Sequence, residues 1–174
     1  MAETALLVPV LAARSIVDPH RLRLTRAGAD GIPPHVTLIY PFTDSARLKA
    51  ERVQEVARIV GGESAFDLSL ASTARFAVDP PILYLVPEPA APFAALTRAL
   101  VTAFPEHRPY AGRYPELVPH LTVAIADAAT LESVAAELGP ALPIEARVEQ
   151  AWLMQREASG RWRLRRRFEL EAGG

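Results

Sequence analysis

The 174-residue sequence has no cysteine and one lysine, Lys49, against 18 arginines. Without cysteine there are no disulfides, no thiolate metal sites and no thiol nucleophile. An excess of charge of either sign is also lacking: 19 basic and 20 acidic residues leave a formal net charge of −1. A chain held on long nucleic acid by a broad basic surface would carry a large positive balance, so long-duplex binding is not expected. A small or short anionic ligand at one local positive site remains open, and arginine suits bidentate phosphate contact. No apolar run reaches the roughly 18 residues of a membrane span. The most apolar stretch, residues 5–13, is broken by Pro9 and preceded by Glu3 with no Lys or Arg. It reads as a first β-strand rather than a signal peptide, and the expectation is a cytoplasmic protein with no membrane contact. Four histidines and scattered carboxylates show no metal-ligand spacing such as His-Glu-x-x-His, so no metal and no cofactor are expected.

Half the residues are hydrophobic, enough for a substantial core in one domain. Residues 5–11 read as a strand and 14–34 as a short helix or turn followed by a loop. His35–Tyr40 reads as a strand stopped by Pro41. Asp44 or Ser45 caps a helix over about 46–60 that ends at Gly61-Gly62. Phe66, Leu68 and Leu70 alternate with polar or small residues as a half-buried strand, and a separate short strand is expected around Arg75–Val78. In the second half, Ile82–Val86 reads as a strand, and Pro92 opens a helix carrying Phe93, Leu96, Leu100 and Phe104. An irregular segment, 105–119, leads to a strand over His120–Ala126 and an Asp127-capped helix ending near Gly139. Strands over 144–149, 151–156 and 162–170 complete the chain, the last two joined by a turn at Ser159-Gly160.

Within this order one unit occurs twice. Pro34-His35-Val36-Thr37-Leu38 is matched 85 positions later (35 to 120) by Pro119-His120-Leu121-Thr122-Val123. On an extended strand, residues i and i+2 point to one side. Each copy therefore offers an imidazole and a hydroxyl together, with aliphatic side chains on the other face. Either copy alone would be an ordinary strand; the pair is the signal. Two imidazoles near neutral pKa can divide the roles of base and acid at a phosphate, and two hydroxyls can hold its non-bridging oxygens. The matching order of elements in about 1–81 and 82–174 reads as an internal duplication, giving one α+β domain over 1–174 with two pseudo-symmetric lobes. In that arrangement His35, Thr37, His120 and Thr122 face the groove between lobes.

The two motifs, with the Ile-Pro-Pro lead and Tyr-Pro-Phe tail of the first, resemble those of the 2H phosphoesterase superfamily. They are most similar to bacterial proteins called 2'-5' RNA ligase family proteins. The resemblance implies a LigT-like bilobed fold, two antiparallel sheets flanking a central cleft with helices on the outer faces. It also implies metal-independent attack on 2',3'-cyclic phosphates or 2'-5' linkages. His35 and His120 would be the acid–base pair, and Thr37 and Thr122 would bind the phosphate. Better-known members often carry Arg shortly after the second motif, where this chain has Ala124-Ile125-Ala126. That departure favours hydrolysis of a small nucleotide or short RNA end over RNA 2'-5' ligation. A non-catalytic nucleotide- or RNA-binding module of the same fold is the alternative from another class. A monomer is expected.

Other residues invite roles. Tyr84 and Tyr110 are candidates for stacking on a substrate base. His20 and His107 lie outside the motifs and are read as solvated or capping histidines. Tyr40 falls on the apolar parity of its strand and is assigned to the core. In the segment 161–170, Trp162, Leu164, Phe168 and Leu170 alternate with Arg161, Arg163, Arg165 and Arg167, which predicts one apolar and one solvated face.

Overall fold

In the computed structural model, which describes residues 2–107 and 118–173, the strands form two four-stranded antiparallel sheets. The strands are β1 (Thr4–Pro9), β2 (His35–Ile39), β3 (Phe66–Phe76), β4 (Ile82–Glu88), β5 (Leu121–Ile125), β6 (Ile144–Val148), β7 (Gln150–Arg156) and β8 (Trp162–Glu169). One sheet has the order β2-β1-β7-β8 and the other β5-β4-β3-β6. Each motif strand is thus an edge strand beside the first strand of its own half. The break near residue 81 separates the motif copies but not the sheets: β3 joins the sheet of the second motif, and β7 and β8 join that of the first.

Among the described residues, five α-helices, α1 (Arg14–Leu24), α2 (Arg26–Ala29), α3 (Ala50–Gly61), α4 (Ala91–Ala103) and α5 (Ala128–Leu138), accompany these strands. The helix after β1 packs on β5, and the helix after β4 packs on β2, so each lobe's first helix supports the other lobe's motif strand. Local chemistry accounts for the helix ends. Asp127 caps α5 by accepting from the Thr130 N–H at 3.0 Å. Glu51 in the first turn of α3 and Arg58 in the last complement the helix dipole. Pro92 opens α4, where a missing N–H costs nothing.

One hydrophobic core runs beneath both sheets. Leu6, Val8, Val36 and Leu38 from one sheet meet Leu83, Leu85, Leu121 and Val123 from the other, with Val17, Val60, Leu96 and Leu131 supplied by the helices. A second, smaller cluster of Leu7, Ile32 and Met154, with Trp152, Trp162 and Leu164 against it, covers the opposite face of the first sheet.

Several sequence expectations are corrected. Residues 14–24 form a full helix despite Pro19, because Val17, His20 and Arg21 bury its inner face. Asp44 caps a short 3-10 turn (Ser45–Arg47), and α3 starts later, at Ala50. The strands expected around 66–71 and 75–78 are a single β3 with a register shift between Leu70 and Ser72. His20 is 6% exposed rather than solvated. Register shifts also overturn two assignments of facing. On β2, Leu7 pairs with Thr37 and Leu6 with Ile39, so Leu38 is an extra residue and Tyr40 leaves the core to meet Trp162 edge-on at 5.9 Å. On β8, Leu153 pairs with Arg166 and Met154 with Leu164, so Arg165 is extra. Phe168 and Leu170 therefore join the main core, while Trp162 and Leu164 lie on the other face. Arg167, opposite Trp152, shares that second face, with its guanidinium 5.5 Å from the indole centroid.

Candidate active site

Both motif strands put aliphatic residues down and polar residues up. Val36 and Leu38 are 0% and 1% exposed, and Leu121 and Val123 are both 0%. His35, Thr37, His120 and Thr122 are half-buried on the opposite side. Directly after each threonine comes the same device. Leu38 on β2 and Val123 on β5 are the extra residues of β-bulges, the second between the pairs Leu83–Ala124 and Tyr84–Thr122. A bulge bends its strand and re-aims the neighbouring side chains, and bulges concentrate beside active sites. It also turns Ile125, 37% exposed, away from the core.

The two imidazoles are held alike. His35 Nδ1 lies 2.7 Å from the Pro33 carbonyl oxygen, and His120 Nδ1 lies 2.7 Å from that of Val118. A carbonyl oxygen only accepts, so both Nδ1 atoms carry the proton and donate. This sets one tautomer in both copies and makes Nε2 the nitrogen whose protonation state can change. The prolines before each histidine favour this extended approach, since the residue ahead of a proline is biased to extended backbone.

Their surroundings differ. Beside the first motif lies Arg21 of α1, 2% exposed. Its Nε donates to the Thr122 carbonyl at 3.2 Å, Nη1 to Asp18 at 3.0 Å, and Nη2 to the Ile32 and Pro33 carbonyls at 3.1 and 3.2 Å. The Pro33 oxygen thus accepts from both Arg21 and His35. Burial, then the Arg21 charge, push the His35 imidazole down to about 4, against the Pro33 hydrogen bond that favours its cation; the His120 charge adds a smaller push. That push from His120 sets the second imidazole within electrostatic reach of the first. Burial also lowers Arg21 from its ordinary range, while Asp18 holds it up.

Beside the second motif, two of the described neighbours are aromatic. Phe76 and Tyr84 stack at 4.3 Å, and both meet the His120 ring edge-on, at 4.9 and 5.5 Å. Burial lowers the His120 imidazole, and the Val118 hydrogen bond opposes that. Tyr84 pairs with Thr122 across β4 and β5, which sets it on the same sheet face as the motif's polar side chains.

Of the residues singled out in the sequence, His35, Thr37, His120, Thr122 and Tyr84 come together. Tyr110 lies outside the described residues. His107 sits apart, edge-on to Phe42 at 5.3 Å. Among the described residues, no group of three or more His, Asp or Glu side chains is arranged to hold a metal ion, and no helix is long and apolar enough to cross a membrane. Sequence reasoning missed Arg21 and Phe76. Arg21 had a legible signal: with Val17 and Leu24 it falls on one helical face, i, i+4 and i+7, where a charge is out of place unless it has partners.

A family model described as the 2'-5' RNA ligase superfamily matches residues 8–160. No curated protein sequence matches at a significant level. Among solved structures, E. coli LigT complexed with 3'-AMP is similar at 18% identity, with a TM-score of 0.64 and 97% of each chain covered. The protein TT0787 of Thermus thermophilus is similar at 18% identity and a TM-score of 0.65, covering 99% of this chain and all of the other. A structure described as a phosphoesterase gives 17% identity and a TM-score of 0.62, with 98% and 99% covered. At these identities the likeness establishes a shared LigT-like fold.

Proposed function

The chain belongs to the 2'-5' RNA ligase superfamily, and on that premise we propose that it is a metal-independent phosphoesterase that opens a 2',3'-cyclic phosphate or cleaves a 2'-5' phosphodiester in a nucleotide or short RNA end. The observation that carries this reading is the pair of half-buried imidazoles, each with Nδ1–H tied to a backbone carbonyl at 2.7 Å and each two residues from a threonine on the same face. A pure binding module has no use for two matched imidazoles of one set tautomer.

Roles follow from the electrostatics. His35 faces a buried guanidinium and is held neutral down to about pH 4, so its Nε2 is the base. It removes a proton from water as the water oxygen bonds to phosphorus. A phosphate bound between the motifs stabilises imidazolium through its negative charge. Arg21 opposes this at His35, so His120 is the ring that enters the step already protonated, as the acid. It protonates the leaving sugar oxygen as the P–O bond breaks, giving a phosphate monoester and a free hydroxyl. Thr37 and Thr122 donate to the non-bridging oxygens as charge builds there. Positioned acid–base catalysis of this kind is worth about 10²–10⁴-fold.

On the aromatic side, half-buried Phe76, backed by the buried Tyr84 stacked on it, is the platform for the base of the bound nucleotide. Complexes of the structurally similar LigT with 3'-AMP, ATP and NADP+ support a nucleotide as the ligand. Hydrolysis is preferred to ligation because Ala124-Ile125-Ala126, directly after the second motif, brings an exposed isoleucine and no cation. Such a phosphoesterase would act in the cytoplasm.

The test is turnover of 2',3'-cyclic nucleotides and 2'-5' dinucleotides in the presence of EDTA, with His35→Ala and His120→Ala as controls. Turnover should survive EDTA, and each substitution should lower kcat by about 10²–10⁴-fold without unfolding the protein. Full activity in either folded variant overturns the acid–base assignment.

A further inference from the structure

The strongest unassigned feature is the guanidinium of Arg21. It is almost wholly buried, and its three nitrogens are spent on backbone from both lobes and on one carboxylate. A charge in such a place is costly unless its hydrogen bonds are well formed, and that carboxylate, Asp18, with 24% of its side chain exposed, balances it. A lysine would give a point charge, whereas the planar fork fixes several carbonyls in one geometry.

Those carbonyls are those of Ile32 and Pro33, on the approach to the first motif, and of Thr122, inside the second. The backbone is built to deliver them. Gly31, at φ +98°, turns the approach loop. A Cβ on Gly28 would come within 2.5 Å of the Arg21 carbonyl oxygen, so only glycine lets α2 settle onto the end of α1. The loop is thereby laid against α1 with its carbonyls at the Arg21 fork.

We propose that Arg21 is a cross-lobe positioning residue: it ties the carbonyl that orients His35 to the strand that carries Thr122, and so sets the spacing of the two motifs across the phosphate. This rests on the phosphoesterase reading for its effect on turnover, but not for its effect on His35. The charged and titratable groups that bear on this pair are Asp18 and Arg14 on α1, beside Arg21, and His120, across from His35. Removing the fork loosens both motifs at once, and removing the charge also relieves His35 of its nearest cation.

Arg21→Lys and Arg21→Gln separate these effects, with folding checked by circular dichroism and a single unfolding transition. Turnover is measured on a 2',3'-cyclic nucleotide, and the histidine ring protons are titrated by NMR. Both variants should lose about 100-fold in kcat with little change in KM, as expected when reacting groups shift by about an ångström. Arg21→Gln should raise the His35 titration by about one pH unit, while Arg21→Lys leaves it near its original position. A residue that only stabilised the fold would lower the melting temperature and leave kcat unchanged in the folded variants. Wild-type kcat in folded Arg21→Lys together with an unmoved His35 titration in Arg21→Gln overturns the proposal. If the wild type turns over no phosphoester, the functional reading fails, and the positioning claim is decided by the backbone NMR signals of Pro33–His35 and Thr122 in Arg21→Lys: joint shifts in both segments support it, and unmoved signals in either overturn it. Should the Arg21 variants not fold, Asp18→Asn leaves the guanidinium in place without its carboxylate. A roughly tenfold loss of kcat is then expected, and full kcat counts against the proposal.

Discussion

The two motif regions share nearly everything local. Both read Pro-His-x-Thr, both tie Nδ1 to the carbonyl two residues upstream, and both insert a bulge directly after the threonine. What differs among the described residues is what packs beside the ring: a buried cation with its carboxylate at His35, two stacked aromatics at His120. The repeated motif supplies two alike imidazoles, whereas the proposed acid–base catalysis needs them unequal, one ready to accept a proton and the other to give one. The inequality comes from α1, which belongs to the first half and braces the second motif strand, and from β3, which also belongs to the first half yet stands in the second sheet. Neither element is part of a motif. Identical motifs thus become distinct because each half of the chain furnishes the other's surroundings.

The sharpest break of this comparison is stability against pH. An imidazole held down to about 4 from 6.5 favours the folded state while it is neutral. Above pH 6.5 His35 is neutral in both folded and unfolded chains and its contribution is full. As the pH falls towards 4 the unfolded chain takes up the proton first, and about 3 kcal/mol is lost at 1.36 kcal/mol per unit. Carboxylates titrate in the same range, so the measured quantity is the difference between wild type and His35→Gln in urea unfolding at pH 7 and pH 4. That difference should shift by about 3 kcal/mol in favour of the variant at low pH. His120→Gln should show the same sign and a smaller shift, because burial lowers that ring too and the Val118 hydrogen bond opposes it. Equal shifts would mean that the two sites are electrostatically alike, and the assignment of base and acid would fall.

The aromatic side offers a second test. Stacking of a base on an aromatic side chain is worth about 1–3 kcal/mol by alanine substitution. Phe76→Ala and Tyr84→Ala should each raise KM for a cyclic mononucleotide by about 5- to 150-fold, with a smaller change in kcat. The pair packs as one stack at 4.3 Å, so the double variant should lose less than the two singles added. Unchanged KM in both single variants would leave Phe76 and Tyr84 as packing around His120 alone.

These contrasts also mark what the sequence made legible. The duplicated motif, the alternation of Val36 and Leu38 or Leu121 and Val123 with polar residues, and the Asp127 cap were readable because each is a local pattern. Alternation, however, assumes an unbroken ladder. The bulges at Leu38, Val123 and Arg165 each reverse parity from that point on, and that moved Tyr40 and Arg167 to the face they occupy. A trace of the first two is visible in retrospect: Leu38-Ile39 and Val123-Ala124 are buried doublets where strict alternation allows one inward residue. The role of Arg21 was less accessible, since its backbone partners lie 11, 12 and 101 positions away along the chain.

Arg167 supplies the mildest and most discriminating test of the lobes' inequality. Cross-strand pairing sets Thr37, Leu7, Trp152 and Arg167 in one row across the first sheet. With strands ~4.8 Å apart, Arg167 stands roughly 14 Å from the threonine, beyond a mononucleotide's phosphate but within reach of the next one along a chain. In the second sheet the corresponding row runs Thr122, Tyr84 and Ala74, with no charge in it. An oligonucleotide should therefore extend over the first lobe and not the second. Arg167→Ala should raise KM for a 2'-5' dinucleotide or trinucleotide by about 2- to 5-fold, reduce its salt dependence by about one counterion, and leave a cyclic mononucleotide unaffected. Arg163, turned to the opposite face and paired with Glu157 at 3.0 Å, is the matched control. If Arg163→Ala weakens the longer substrate as much as Arg167→Ala does, the effect is one of overall charge. Selectivity for Arg167 alone would give the first lobe the chain as well as the base, and leave the second lobe the acid and the nucleobase.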